Sequence, residues 1–162
     1  MGKKGKKMVE CDVKIGASDL YDYNLKYSFS KFINILSEIV GAFAVFYGIY
    51  AANYPLAFIG ALVVIYLPVT LWLRSKAASF AFDKPLHYRL DDEGLTVSRG
   101  EESQTAPWDQ CVKAVSTGRS ILLFTSPVAA TIFPRNQLGD KTSLVIQCIS
   151  EHMPAEKVKI KW

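Results

Sequence analysis

From Ile39 to Leu73 the chain carries no charged residue, and the segment YAANYP, Tyr50 to Pro55, is the one interruption of that apolar run. A helix that crosses a bilayer needs about 17–25 apolar residues, so a run of roughly 35 is too long for one crossing and suits two. Asn53-Tyr54-Pro55 supplies the turn between them: proline starts or ends a helix, the residue before it avoids the helical region, and asparagine tolerates turn geometry. The pattern predicts helices over 32–52 and 56–73 with a minimal connection. A buried helical hairpin in a soluble protein is the alternative, though buried helices are usually shorter and carry a charge or two.

The distribution of charge sets the expected orientation. Lys3, Lys4, Lys6, Lys7, Lys14, Lys26 and Lys31 precede the run, Arg74, Lys76, Lys84 and Arg89 follow it, and the turn has no charge. The positive-inside bias then places both termini in the cytoplasm and the turn outside, as in an inner (plasma) membrane protein with two spans. Lys3, Lys4, Lys6, Lys7, Arg74 and Lys76 are the expected membrane-surface residues, and the lysines of the start, with Lys157, Lys159 and Lys161 of the tail, each gain about 1 kcal/mol near an anionic leaflet. Tyr47, Tyr50 and Tyr54 at one end, and Trp72 at the other, sit where aromatic rings favour the interface. Glu38 lies about two turns from the cytosolic end, within reach of headgroups or of Lys31.

Lipid is as apolar as leucine, so two spans associate through small residues that let their backbones approach. Gly41, Ala44, Gly48 and Ala52 on the first helix, and Ala57, Gly60 and Ala61 on the second, form the expected packing stripes. They meet nearest the turn.

Half of the 162 residues are hydrophobic and the mean hydropathy is +0.14, an average over two regimes. The length allows one soluble domain beside the hairpin. Before the run, Val9, Cys11, Val13 and Ile15 alternate with polar residues at the period of a half-exposed strand, and SDLYDYNLKYSFSKF reads as a short interfacial helix or a connector. Residues 1–31 are thus a cytosolic strand and connector, 32–73 a transmembrane hairpin, and 78–162 a cytosolic domain with a basic tail. After the run, LHYRL and LTVSR flank the turn DDEG, followed by short strands in QTAPW, CVKAVST, SILLFTS and AATIFP. Asp140 caps a helix over 141–152 whose Val145, Cys148, Ile149 and His152 share a face, closed by Pro154. The fold class is α+β: a two-helix transmembrane hairpin, then a small antiparallel sheet or half-barrel closed by a C-terminal helix. The tail KVKIKW alternates lysine with apolar residues, so it joins the sheet, lies on the membrane or stays disordered.

The two spans followed by YRLDDEGLTVSRGEESQTAPWDQCVKAVSTGRSILLFTSPVAATIFPRN resemble the YcxB-like family of bacterial membrane proteins. The matching features are the DDEGL hairpin, the tryptophan of PWDQCVKAV, the ILLF strand and IFPRNQL before the last helix, within roughly residues 31–152. The resemblance implies a C-terminal domain similar to a shortened pleckstrin-homology barrel, and it implies architecture without an activity.

The residues themselves point away from catalysis. Cys11, Cys111 and Cys148 are widely spaced without a CxxC pair, as reduced core thiols of a cytosolic domain would be. Trp108 reads as a core anchor of the sheet. His87 and His152 are distant in sequence and suggest no metal site, STGRS is not a nucleophile elbow, and no glycine-rich phosphate loop occurs. No cofactor is expected. The start MGKKGKK lacks an apolar stretch behind it and has lysine at position 6, so neither a secretory signal nor myristoylation is expected. The net charge of +4 is concentrated near the termini without an aromatic platform, which argues against nucleic acid. The expected partners are the lipid bilayer and a protein partner or a second copy, with no small-molecule substrate evident. The leading expectation is a non-enzymatic membrane-anchored interaction or scaffold domain; the alternative is an immunity or transporter-accessory protein that acts through its hairpin.

Overall fold

The computed structural model describes residues 8–161. Lys3, Lys4, Lys6 and Lys7, expected at the membrane surface, and Trp162 of the tail lie outside the described residues.

The apolar run folds as two helices, Phe32–Tyr50 (α2) and Tyr54–Ser79 (α3). Both are long and apolar enough to cross a membrane, and only 11% of each apolar window is buried. The core helix of a soluble protein would be mostly buried, so these helices present their apolar surface outward. Phe32, Phe46 and Tyr50 are 76%, 73% and 89% exposed. Asn53 precedes α3 and its side-chain oxygen accepts from the Leu56 N–H at 3.2 Å, while Pro55 fills a first-turn position where no N–H is needed.

Three boundaries differ from expectation: α2 stops at Tyr50 instead of residue 52, α3 starts at Tyr54 instead of residue 56, and α3 ends at Ser79 instead of residue 73. Ala52 belongs to neither helix: it sits exposed in the turn with φ of +51°, because a connection this short forces one residue into the left-handed region. It therefore does not contribute to a helical packing stripe. The second helix runs on past Leu73 to Ser79, since Arg74, Ser75, Lys76, Ala77 and Ala78 are compatible with helix and nothing there breaks it. At 1.5 Å per residue its 26 residues extend about 39 Å, against about 28 Å for the 19 of α2.

Small residues set the contact between the helices. A Cβ placed on Gly48 would stand 2.5 Å from the Ala57 backbone nitrogen, and one on Gly60 would stand 2.7 Å from the Gly41 carbonyl oxygen and 2.9 Å from the Ala44 Cβ. Gly41 faces Val63 and Val64. The backbones are thus as close as the absence of side chains permits.

The residues before the hairpin form a strand, Val9–Val13 (β1), and a helix, Ala17–Ser28 (α1). The Gly16 N–H donates to the Asp19 carboxylate at 2.9 Å, which caps α1. A 3₁₀ turn, Phe80–Phe82, follows α3. Then come Leu86–Leu90 (β2), Gly94–Arg99 (β3), Glu102–Pro107 (β4), Lys113–Ser116 (β5), Ser120–Phe124 (β6) and Ala130–Pro134 (β7). A short helix Arg135–Leu138 (α4), the helix Lys141–His152 (α5) and the strand Val158–Lys159 (β8) complete the chain. Asp140 occupies the N-cap position of α5 without a side-chain capping bond.

The strands make two four-stranded sheets, ordered β1-β2-β3-β4 and β7-β6-β5-β8. β1 runs antiparallel to β2 with Val9 opposite Leu90 and Val13 opposite Leu86, so the first sheet takes strands from both sides of the helical hairpin. Its alternation places Val9, Cys11 and Val13 in the core. The outer edge of β1 is covered: the Lys14 N–H donates to Gln137 Oε1 at 2.7 Å, Gln137 Nε2 donates to the Lys14 carbonyl at 2.8 Å, and Lys141 Nζ donates to the Glu10 carbonyl at 2.8 Å. The tail also joins a sheet, with Val158 and Lys159 parallel to Ala114 and Val115 of β5. Every residue of β6 is buried, so this strand is covered on both faces. Tyr88 of the first sheet meets Phe133 of the second edge-on, ring centroids 4.9 Å apart.

Candidate functional site

α1 is the part of the chain that touches both the hairpin and the sheets. On the hairpin side, Asn24 Nδ2 donates to Ser75 Oγ at 2.9 Å, and Ser75 is fully buried. Asn34 at the start of α2 donates to the Ser28 carbonyl at 3.0 Å, which fixes the corner between α1 and α2. On the sheet side, the Tyr23 hydroxyl donates to the Val128 carbonyl at 2.6 Å, the Thr117 hydroxyl donates to the Asp22 carboxylate, and the Tyr23 ring lies 6.1 Å from that of Phe124. Burial, with the neighbouring Tyr27 hydroxyl, pushes the Tyr23 phenol above its ordinary value, so it stays a neutral donor. Asn24 thus links α3 to the helix that also holds the loops after β5 and β6.

Beside α1 the two sheets part to leave a cleft of about 420 Å³. Tyr88, Val97 and Gln104 are register partners across β2, β3 and β4, and this row lines one wall. Ala130 and Ile132 of β7 line the wall opposite, Leu20 and Tyr23 of α1 close one end, and Phe82, three residues beyond α3, also borders the opening. Tyr88, Leu20 and Ile132 are buried, Val97, Phe82 and Ala130 half-buried, and Gln104 exposed; the half-buried Thr125 and Thr131 also line the cleft, which is therefore mainly apolar with polar groups among its walls. Along this row Cys11 and Tyr88 are buried, Val97 is half-buried and Gln104 is exposed, so the cleft opens toward β4. Phe80 and Val128, 77% and 62% exposed, lie two positions before Phe82 and one position before Ala129 of the cleft lining.

Trp108, expected as a core anchor, is half-buried in a 3₁₀ turn over Trp108–Gln110 and packs against the core. Its indole N–H donates to the Asp91 carbonyl at 2.7 Å, and its ring stacks on His152 at 4.9 Å and 13°. The acidic turn expected to be solvated is only partly so. Asp92 and Glu93 are exposed, but Asp91 is buried, its carboxylate held by Arg89 Nε and Nη2 at 3.0 and 2.9 Å and by the Glu93 N–H at 3.0 Å. Burial raises the Asp91 pKa, and the Glu93 and Gly94 N–H groups together with the Arg89 guanidinium outweigh it, holding the carboxyl below its ordinary value.

His152 also meets Cys148, its i, i+4 neighbour on the shared face of α5, whose sulfur lies 3.9 Å from Nδ1. That nitrogen faces the Cys148 carbonyl at 2.9 Å, Nε2 faces Asp92 at 3.4 Å, and the thiol is buried. The ring is thus committed to positioning the end of α5 against the DDEG turn. Burial pushes the Cys11 and Cys111 thiols above their ordinary value, the opposite of an activated nucleophile. Among the described residues no group of three or more His, Cys, Asp or Glu side chains is placed to hold a metal ion.

Arg74 and Lys76 are exposed on the last turns of α3, and the Lys76 ammonium lies 5.2 Å from the Trp72 ring centroid. Lys31 sits 4.7 Å over the Tyr27 ring rather than on Glu38. Ala61 lies half-buried on α3, one position beyond Gly60.

The family model described as YcxB-like protein matches residues 90–145, a span that starts at the end of β2 and ends within α5. It includes Trp108 and the β7 wall of the cleft, and leaves out β1, α1 and the helical hairpin. No curated protein and no solved structure matches the chain.

Proposed function

We propose that the chain is a non-enzymatic interaction module of a bacterial inner membrane, anchored by two spans with both termini cytoplasmic, and that it engages a protein partner or a second copy of itself. The observation that carries this reading is the insertion of an outward-apolar helical hairpin between β1–α1 and β2 of one folded unit. Exposed apolar area of this extent is unfavourable in water by about 25 cal/mol per Å² and is accommodated in a bilayer. The extra length of α3 supports the assignment of the inside face. A hydrocarbon core about 30 Å thick takes roughly 20 residues, which brings the charged turn from Arg74 onward to the surface where α1 packs. Two sheets with a C-terminal helix support the reading of a pleckstrin-homology-like module, and such a scaffold carries function on its surface rather than in its fold.

A second reading, an immunity or transporter-accessory protein acting through the spans, draws on the stacked and exposed Phe43 and Tyr47 rings, 6.0 Å apart on α2. Photo-crosslinking side chains placed at Leu144, which is 50% exposed on α5, and at Phe46 on α2 separate the two in native membranes. A specific adduct from Leu144 supports the module as the docking element. Adducts from Phe46 alone overturn that reading and leave the spans as the acting part.

A further inference from the structure

The first sheet ends on β4, and among the described residues no strand pairs with that outer edge. The strand pairs fix which of its main-chain groups face outward. Gly94 turns its carbonyl away from β4, onto the Asp91 N–H at 3.1 Å, and stands opposite Pro107, which has no N–H to give. Main-chain groups alternate sides along a strand, so Leu95, Val97 and Arg99 bond Ala106, Gln104 and Glu102, whereas Ser103 and Thr105 point their N–H and C=O groups outward. Both residues are exposed. Edge strands are commonly guarded by lysine, by proline or by a bulge; β4 has no lysine, and its proline stands at its last position. On the face away from the cleft, Thr96 is opposite Thr105 with the hydroxyls 2.9 Å apart, and Ser98 is opposite Ser103. On the cleft face, Gln104 ends the row that runs through Tyr88 and Val97.

We propose that a second copy of this chain adds its own β4 to this edge, antiparallel, with Gln104 opposite Gln104 at the two-fold axis. This rests on the reading of the chain as an interaction module and names its surface and its partner. Ser103 of each copy then faces Thr105 of the other, and each such pair exchanges both of its main-chain hydrogen bonds. On the outer face Thr96 and Thr105 of one copy continue into Ser103 and Ser98 of the other, a row of small hydroxyl side chains of the kind that bond across strands. On the opposite face the two Gln104 amides meet, each with a donor and an acceptor for the other, and the open sides of the two clefts come together. The charges select this register. Centring the pair on Thr105 would set Ser103 against Pro107 and lose a bond, and centring it on Ser103 would bring the two Glu102 side chains within two positions of each other. With Gln104 at the centre, Glu102 faces Ala106 and lies about 14 Å from its counterpart, at about 3.4 Å per residue.

The test uses the full chain in native membranes, carrying Gln104→Cys and oxidised with copper phenanthroline. Opposed residues of a pair without main-chain bonds stand about 4.5 Å apart at Cα, within disulfide reach, so a bridged dimer is expected. Glu102→Cys is expected to bridge about tenfold less, and the parent chain, whose Cys11, Cys111 and Cys148 are buried, not to bridge. Ser103→Pro, added to Gln104→Cys, removes an outward N–H and no main-chain bond to β3, and is expected to lower bridging about tenfold at an unchanged melting temperature. The two-fold axis of such a pair runs normal to the sheet, so both hairpins enter one bilayer only with this sheet along the membrane surface, and bridging in membranes tests that arrangement as well. A Gln104→Cys chain that bridges to a different protein would overturn the second copy as occupant and leave the interaction module standing. Equal bridging from Gln104→Cys and Glu102→Cys, or none from either, would overturn the pairing, while adducts from Leu144 decide the module reading separately. The comparison of positions 104 and 102 needs no proline, so a poorly folding Ser103→Pro chain leaves the proposal open to refutation.

Discussion

Val13 and Leu86 are register partners in one antiparallel sheet, although the whole helical hairpin lies between them in sequence. The pairing turns a membrane hairpin with two flanking pieces into one folded unit closed around its own anchor. It also makes folding depend on a long-range contact that forms only after the loop entropy of everything between has been overcome. Val13 is fully buried and is the position where this closure is most exposed to substitution. Val13→Asp places an unpaired charge in the core and is expected to cost more than about 3 kcal/mol. A thermal melt of the protein in detergent, followed by near-ultraviolet circular dichroism of the sheets, checks it. An unchanged melting temperature would mean that β1 contributes nothing.

Gly48 tests the helical hairpin independently of the sheets. Its missing side chain leaves room for the Ala57 backbone, so Gly48→Leu must push the helices apart, an overpacking expected to cost about 1–3 kcal/mol. Titration of the full chain with a denaturing detergent, followed by far-ultraviolet circular dichroism, reports the loss. A Gly48→Leu chain that unfolds together with the parent would argue against the close approach.

Trp108→Phe keeps an aromatic ring for His152 to stack on and removes the N–H donated to the Asp91 carbonyl. The loss of that bond is expected to cost about 1 kcal/mol, and Trp108→Ala about 3 kcal/mol or more, since the ring also leaves a cavity against the core. Chemical denaturation of the three proteins should rank them in that order.

Asp91 gives the module an acid sensitivity of known sign. Its carboxyl is held below the unfolded value of about 3.9, so its stabilising contribution is complete above that pH and is lost as the pH falls through the lowered folded value. Asp91→Asn is expected to lower stability at neutral pH and to flatten its decline below about pH 4. Melting temperatures from pH 7 down to pH 3 show whether the two curves converge; parallel curves would exclude Asp91 as a source of the acid response.

The parts of this fold that repeat a short period were legible in the sequence. The alternation in LHYRL and LTVSR gave β2 and β3, and the turn-free apolar spacing of 141–152 gave α5 with its bounds. The parts that depend on partners were not. SKAAS is compatible with helix, but nothing local says that Asn24 of a different helix bonds Ser75 within it. Asp91 looks like any acidic turn residue until Arg89 and Trp108 are placed around it. The cleft was the least legible feature: Tyr88, Val97 and Gln104 become one row only through the register of three strands.

The most direct test of the account compares two soluble fragments by two-dimensional NMR and thermal denaturation. One is residues 78–162 alone; the other is residues 8–28 joined to residues 80–162 by a flexible glycine-serine linker in place of the helical hairpin. The account predicts dispersed spectra and a cooperative melt only for the joined fragment, because β2 otherwise exposes the edge and the core surface that Val9, Cys11 and Val13 cover. A cooperative melt and a dispersed spectrum from residues 78–162 alone, matching the joined fragment, would contradict it.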